Sequence, residues 1–558
     1  MCLSNKATKN IQLPSPSNAL AEVPVFKKSS LAIAYRQTFY NLYNANDFNV
    51  FAPTRPSGIN GRSKINNKKE LTDVDVYPED YLFRDLNLKY TINFDNGNQF
   101  FLSAYGGGDR FNLKAETDIL WSPHGRSDQT LKIPYHVNFE NNERNMQRGI
   151  SATYNRVWNN RVQSRFVLSH SDYEKSTSEK IDLQNTKTGL VNNRDIHFIA
   201  NQTVENSFRV ENNISLRNAH QIETGGGFYD NGATLSDQIN FRNQAGINYQ
   251  MNFQSSRFFL YVHDILPIGN RITLNTGARA NWVVNSEKLY VEPRLSATIK
   301  ASETLKVHAA WGIYNQFAYK LANVDMDNNY TWLWVTASEK NTVLHATHWV
   351  GGVNYHYKNF TFNVDGYFKT TRNLTRRELV SQNNNASANR NYATLYGVAS
   401  TYGIDAFVKK DFGQHSVWAS YTLSKAEERM APLGQIATNY TLAPHDQRHE
   451  LKIAALFKAG SFYFSGNYVY GSEMQIMREL FPNELENISY NRFDAAITYN
   501  FNGKLKGETG FSVLNVFDIY NLKYANLKNI NIAQNLGSVK IYTGAVPFTP
   551  ILFLKMVF

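Results

Sequence analysis

Apolar and polar residues alternate along much of this chain. From Phe360 to Lys369, one face carries Phe360, Phe362, Val364 and Phe368; the other carries Thr361, Asn363, Asp365 and Lys369, with Tyr367 as its one aromatic. A period of two belongs to a β-strand with one apolar and one polar side. Residues 492–501 repeat the pattern, with Phe493, Ala495, Ile497, Tyr499 and Phe501 set against Arg492, Asp494, Thr498 and Asn500. Residues 461–470 place Phe462, Phe464, Tyr468 and Tyr470 on one side. The last segment, Phe548 to Phe558, alternates Leu552, Leu554 and Met556 and stops on an aromatic. Such segments predict strands near 18–25, 29–42, 81–94, 98–111, 144–158, 161–176, 193–205, 208–222, 254–267, 270–283, 289–301, 304–318, 344–357, 359–374, 396–411, 414–427, 446–458, 460–473, 490–502, 506–519 and 548–558.

The connections alternate as well. Tight turns rich in Asn and Gly, such as Asp95-Asn96-Gly97-Asn98 and Trp158-Asn159-Asn160-Arg161, suit the left-handed backbone of short hairpins. Between them lie long polar stretches at 43–80, 112–143, 177–192, 223–253, 319–343, 375–395, 428–445, 474–489 and 520–547. Short turns on one side and long loops on the other describe an outer-membrane barrel, with the turns periplasmic. The predicted fold is therefore all-β, a transmembrane antiparallel β-barrel. About 21 strands are read, the first and last both descending, whereas a bacterial barrel has an even number. The expectation is a barrel of the 22-strand type missing its first strand, with residues 1–17 an irregular tail and 18–558 the barrel.

Composition narrows the picture. The chain has 558 residues, 14% of them aromatic, with 33 Tyr and 35 Phe, which suits both membrane interfaces. Mean hydropathy is −0.46, and the sequence has no apolar run of the length a membrane helix needs, so a membrane reading requires strands. One cysteine, Cys2, excludes an internal disulfide framework and a multi-Cys zinc site. The formal charge of +11 is dispersed and points to no nucleic acid. Residues 1–16 have no apolar core behind a basic start, so no secretory signal is read there.

Several short patterns stand in order along the chain: Glu292-Pro293-Arg294-Leu295-Ser296, the run Ala310–Phe317, Ser420-Tyr421-Thr422-Leu423-Ser424-Lys425-Ala426, Pro444-His445-Asp446-Gln447-Arg448-His449, Arg492-Phe493-Asp494 and Leu514-Asn515-Val516-Phe517-Asp518. Together they resemble the barrel region of TonB-dependent receptors, especially those of Bacteroidetes-type bacteria. The resemblance implies an outer-membrane protein of a Gram-negative bacterium, a monomeric barrel in contact with lipid and lipopolysaccharide. Its expected function is uptake of a scarce solute: an iron–siderophore, haem, cobalamin, a glycan or a peptide. It also implies a plug and a segment that binds an energy-coupling protein. Neither fits within residues 1–17, so the expectation is a chain truncated at its N-terminus, with a coupling partner only if a plug is supplied. The alternative is a structural or adhesive barrel that transports nothing.

No catalytic constellation, cofactor motif or metal site is read. His345 and His348, three apart, point to opposite sides of a strand. Asp325, Asp327 and Asn329 have calcium-loop spacing, but Tyr330 stands where such a loop needs Gly. Gly106–Gly108 and Gly225–Gly227 lack a following helix and are expected as bends or bulges near the outer rim. Asp446, Arg448 and His449 are expected in a polar network on the inner wall. Ligand contact is expected from Tyr330, Trp332 and Trp334, which could stack on a solute, and from Arg372, Arg376 and Arg377, which could hold an anion. Phe558 is expected to close the barrel edge.

Overall fold

The structure, a computed structural model, describes residues 10–11, 17–38, 62–66, 69–76, 80–121, 133–241, 244–325, 329–338, 342–381, 390–432, 434–435, 438–475, 489–503, 506–521, 528–531 and 538–557. Its strands in chain order are β1 (Asn10–Ile11), β2 (Ser17–Phe26), β3 (Ser29–Gln37), β4 (Arg62–Asn66), β5 (Lys69–Val76), β6 (Asp80–Asn93), β7 (Gln99–Trp121), β8 (Ile133–Val157), β9 (Val162–Asn185) and β10 (Val191–Ser215). There follow β11 (Gln221–Phe241), β12 (Gln244–Ile268), β13 (Ile272–Val283), β14 (Lys288–Lys300), β15 (Leu305–Gln316), β16 (Ala318–Val324), β17 (Tyr330–Thr336), β18 (Leu344–Tyr357), β19 (Phe360–Ser381) and β20 (Arg390–Phe412). The last are β21 (His415–Pro432), β22 (Thr441–Leu442), β23 (His449–Ala459), β24 (Phe462–Gly471), β25 (Tyr490–Asn502), β26 (Lys506–Leu514), β27 (Lys528–Asn531), β28 (Ser538–Thr543) and β29 (Thr549–Val557).

One sheet of 25 strands holds most of the chain. Its long strands pair antiparallel, each with the next in sequence, from β2 to β29; β16 and β17 form a separate hairpin within one connection. The two residues of β1 pair with Leu20 and Ala19 of β2 and lie beside β29.

Alternation sorts the two faces. Register partners Tyr90, Leu102, Ala152, Leu168, Phe208, Phe228, Phe258, Trp282 and Leu289 make a continuous apolar row from β6 to β14. A second row runs from Phe457 through Phe464, Ile497 and Phe511 to Leu552, all exposed. On β19, Phe362, Val364 and Phe368 share a face with Val353, Ala406 and Tyr402 of the neighbouring strands. Exposed apolar rows of this extent fit lipid rather than water. The opposite face of β6–β12 carries Lys89, Ser103, Ser151, Ser169, Ser207, Tyr229 and Arg257 in one row. This is the lumenal face.

Two expectations about connections are corrected. The stretches 112–143, 177–192 and 223–253 are mostly strand: β8, β10 and β12 each have 25 residues. At about 3.3 Å per residue such a strand is roughly 80 Å long, whereas about ten tilted residues cross the apolar band. The remainder projects beyond the membrane as a continuous ladder. The turn expected near 206–207 lies instead at Arg217–Ala219, where Asn218 and Ala219 take positive φ. Gly225, Gly226 and Gly227 lie in an unbroken ladder, not in a bulge. A Cβ on Gly225 would fall 2.7 Å from the Tyr261 ring and one on Gly227 2.2 Å from the Phe208 carbonyl, so close packing requires glycine there.

Candidate functional site

The strand extensions do not stand as bare walls. On the lumenal register of β10–β12 lie Ile199, Ala233, Leu235 and Phe253, and the β16–β17 hairpin covers them with Tyr319, Leu321, Leu333 and Val335. All eight are buried, Leu235, Leu333 and Val335 completely. A second cluster on the same register of β7–β9 is built from Phe111, Leu113, Val137, Phe139 and Leu183 and packs against Ile541 of β28. Strand β28 belongs to a separate four-stranded sheet with β4, β5 and β27. The stretches 319–343 and 520–547, expected as loops, thus supply packed inner layers above the lipid band.

The hairpin is locked at both edges. Asn201, 2% exposed, lies opposite the β17 backbone. Its Nδ2 donates to the Trp334 carbonyl at 2.9 Å and to the Thr234 carbonyl at 3.0 Å, and its Oδ1 accepts from the Trp334 N–H at 2.7 Å. On the other edge β16 runs parallel to β19, pairing Ala322, Asn323 and Val324 with Arg376, Arg377 and Glu378. Strands β17, β16, β19 and β20 therefore form one sheet, and its two faces differ.

The face turned to β10–β12 holds a buried polar network. Asp237 is fully buried; its carboxylate accepts from Tyr392 Oη at 2.5 Å and Asn323 Nδ2 at 3.4 Å and pairs with His197 Nε2 at 2.9 Å. The Arg377 guanidinium lies over the Tyr392 ring at 4.1 Å and the Tyr249 ring at 4.5 Å. Burial pushes the Asp237 carboxyl up, but the hydrogen bonds from His197 and Tyr392 and the His197 and Arg377 charges outweigh it and hold it below its ordinary value. Burial first, then the Asp237 charge, pushes the Tyr392 hydroxyl well above its ordinary value. The network favours a carboxylate and a neutral phenol, the states its geometry requires.

The opposite face carries the aromatics Tyr330, Trp332 and Trp334, the first and last of them half-buried. Tyr330 stacks with Trp332, ring centroids 6.4 Å apart, and Trp332 is 41% exposed. Lys320 lies over the Trp334 ring at 5.4 Å. Through the register Ala322↔Trp332 and Ala322↔Arg376, Arg376 shares this face, pairing with Glu428 at 2.6 Å and Glu378 at 2.9 Å.

The residues singled out from the sequence thus separate. Tyr330, Trp332, Trp334 and Arg376 come together on one face. Arg377 is 3% exposed, on the other face. Arg372 lies apart, exposed and opposite His345 in the β18–β19 ladder. Phe558 lies outside the described residues; β29 before it pairs with β26 from Thr549 to Val557. The sequence reading did not single out Asn201, Asp237, Asn323 or Tyr392. Asn201 and Asp237 have only the signal of a polar residue on the lumenal parity of a long strand, whereas Asn323 lies on the short β16 and Tyr392 has the parity of Tyr402 and Ala406 on β20.

The remaining patterns resolve simply. His345 meets Asn315 at 3.0 Å, whereas the His348 ring lies tilted against Tyr314. Asp325 accepts from the Asn329 backbone and side chain, both at 2.8 Å; Asp327 lies outside the described residues. Asp446 accepts from the Ala426 N–H at 2.6 Å and pairs with Arg448 at 3.3 Å, while His449 meets Tyr421 Oη at 2.8 Å. Among the described residues no group of three His, Cys, Asp or Glu could hold a metal.

Long antiparallel strands with one apolar exposed parity and folded inner layers beyond it define a large outer-membrane-type β-barrel. The sequence matches the family model for TonB dependent receptor-like beta-barrels over residues 28–530, and the chain belongs to that family. The fold agrees with solved receptors of low identity. The ferric yersiniabactin uptake receptor FyuA from Yersinia pestis superposes with a TM-score of 0.64 at 10% identity, covering 100% of this chain and 81% of that one. The FrpB iron transporter from Neisseria meningitidis gives 0.60 at 11%, covering 99% and 81%. The unliganded ferric citrate transporter FecA gives 0.58 at 12%, covering 100% and 79%. No curated protein matches the chain's sequence.

Proposed function

We propose that this chain is the membrane-spanning part of an outer-membrane importer of a Gram-negative bacterium, taking up a scarce solute captured at its extracellular mouth. The capture surface is the face carrying Tyr330, Trp332, Trp334 and Arg376. Arg377 supports it from behind by holding the hairpin to the wall. The observation that carries this reading is the exposure of Trp332 beside Tyr330 on a hairpin whose other face is packed as tightly as a core. An exposed aromatic on a rigid support offers contact area at little ordering cost. The candidate solutes are those the family resemblance implies: an iron–siderophore, haem, cobalamin, a glycan or a peptide. The sequence patterns favour a receptor of the Bacteroidetes type. Transport would further require a plug and its energy-coupling partner.

Tryptophan fluorescence tests the capture surface. The refolded chain is titrated with a panel of ferric siderophores, haemin, cyanocobalamin, oligosaccharides and short peptides. The expected result is saturable quenching by one class, lost in Trp332→Ala and kept in an Arg377→Lys variant. Binding unchanged by Trp332→Ala would move the site elsewhere. No binding by any class would favour the structural or adhesive barrel.

A further inference from the structure

Above the lipid band β10, β11 and β12 run on as one ladder, and their outer face carries a hollow centred on Gly232. Phe208, Phe228 and Phe258 are register partners in the apolar row that ends the band. Four residues beyond Phe228, on the same parity, stands Gly232, with Val204 on one side and Gln254 on the other. The next row up is Gln202, Thr234 and Asn252; the row below holds Asn206 and Asp230. These side chains surround a hollow of about 390 Å³.

Nothing in the fold asks for glycine at this position. Its φ lies outside the left-handed region, and the ladders on both sides run unbroken across it. A Cβ on Gly232 would meet nothing within 4 Å, whereas Cβ atoms on Gly225 and Gly227 of the same strand would strike neighbours at 2.5 and 2.2 Å. A glycine inside a strand weakens it; where neither a bulge nor crowding explains it, the close approach of another molecule does. The chemistry around it is almost uncharged. Gln202, Asn206, Thr234, Asn252 and Gln254 are exposed, and each can both donate and accept hydrogen bonds. Asp230 is the one ionisable residue of the lining, and one of its carboxylate oxygens accepts from Ser256 Oγ at 2.6 Å. Among the described residues no lysine or arginine lines the hollow. A phosphate or carboxylate finds no counter-charge there, whereas a molecule dense in hydroxyl groups finds a partner on every side.

Depth selects the molecule. At about 3.4 Å per residue and a tilt of about 40°, Gly232 lies roughly 10 Å above the Phe228 row. Phospholipid headgroups fill only about 5–8 Å beyond the hydrocarbon. The component of this leaflet that continues upward is the glycolipid, whose sugars stand above its acyl chains. We propose that the hollow binds one sugar ring of the outer-leaflet lipopolysaccharide. The ring sits over Gly232 and Val204, and its hydroxyls bond to the surrounding amides and to Asp230. The acyl chains then lie on Phe208, Phe258 and Leu260 below. The spacing of two strands and of four residues gives the hollow a span of roughly 10 by 14 Å, room for one such ring. The inference rests on the outer-membrane reading of the chain and is independent of the solute.

The full chain is refolded into phospholipid nanodiscs containing lipopolysaccharide trimmed to its inner core. Lipopolysaccharide retained through detergent washing is counted by native mass spectrometry, and heat-modifiable migration reports the barrel. Gly232→Val fills the hollow where nothing clashes, and a β-branched residue favours a strand, so its denaturant midpoint should match or exceed that of the wild type. Its retention of lipopolysaccharide should nevertheless fall roughly tenfold, the loss of one or two hydrogen bonds. Gly106→Val, in the same row on β7 and equally free of contacts, should retain the glycolipid as the wild type does. Equal retention by folded wild-type and Gly232→Val barrels overturns the assignment and leaves the importer reading intact. So does an equal fall in Gly106→Val. A Gly232→Val barrel less stable than the wild type overturns the open space on which the assignment rests. Delipidated core oligosaccharide bound as tightly as the intact glycolipid overturns the membrane as the source of the sugar. A dimer of the chain that Gly232→Val breaks gives the hollow to a second copy and overturns the sugar. Failure of the wild-type chain to form a heat-modifiable barrel overturns both readings.

Discussion

Replacing Asn201 with Ala removes the side chain that ties the β16–β17 hairpin to the wall. Three hydrogen bonds vanish, and two of them belong to the Trp334 backbone, whose N–H and carbonyl have no ladder partner on that side. A buried backbone group left unpaired costs about 1–3 kcal/mol, so two such groups, eased by water entering the vacated space, cost roughly 2–4 kcal/mol. The apolar contacts of Leu321, Leu333 and Val335 remain, so the hairpin opens more often rather than detaching. Local opening is read by amide exchange, and the Trp334 amide is itself the donor in question. Its protection should fall by roughly 30- to 700-fold, since each 1.4 kcal/mol is a factor of ten. Amides of β8 should not change. Asn201→Asp retains the acceptor and loses the donor, and should fall between. Trp334 protection unchanged in Asn201→Ala would refute the docked arrangement and the rigid platform built on it.

Further outcomes follow from the same geometry. Lysine at Val364, mid-band on the lipid face, should destabilise the inserted barrel by about 2–4 kcal/mol in reversible denaturant titrations, while lysine at Asn363 on the lumenal face should cost little; equal tolerance would reverse the facing of β19. Docking of the hairpin should be pH-dependent. Asp237 has its pKa lowered from 3.8, so its contribution is present above that value and lost as pH falls through the lowered pKa; Tyr392 has its pKa raised from 10.0, so its contribution is complete below 10.0 and lost at higher pH. Trp334 exchange, corrected for its intrinsic rate, should therefore be flat between and rise at both extremes, and the acid rise should be absent in Asp237→Asn. Removal of Phe558 should lower the yield of heat-modifiable barrel, because the last strand must close an edge; an undiminished yield would count against that role.

The membrane part of the fold is legible in sequence because lipid and lumen impose opposite polarity on successive residues. Phe360, Phe362, Val364 and Phe368 announce their face directly. The same strand becomes illegible where it leaves the lipid. Above the band both faces meet water or an inner layer, so polar residues fall on both parities and stretches such as 177–192 and 223–253 read as loops, although the ladder continues through them. Nor does the triple glycine mark a bend; it answers close neighbours on the flanking strands, the Tyr261 ring at Gly225 and the Phe208 carbonyl at Gly227.

The candidate site shows the same limit more sharply. Tyr330, Trp332 and Trp334 stand out as an alternating aromatic run. Arg376 and Arg377 point to opposite faces because they are neighbours on one strand, and Asn373, with φ of 63°, sits in the bulge between Arg372 and Leu374 that shifts the phase of β19 and so decides which of the two is buried. Asn201 and Trp334 are 133 residues apart, and nothing local to either shows that one holds the other.

The central claim is that these strands cross a bilayer with one parity in lipid and the other in a wet lumen. Single cysteines placed at positions 360 to 369 in a chain carrying Cys2→Ser, spin-labelled and reconstituted into bilayers, test it residue by residue. Collision with oxygen, which concentrates in lipid, should peak at 360, 362, 364 and 368. Collision with a water-soluble nickel chelate should peak at 361, 363, 365 and 369. Accessibilities that do not alternate, or a chelate that reaches both parities equally, would contradict the barrel.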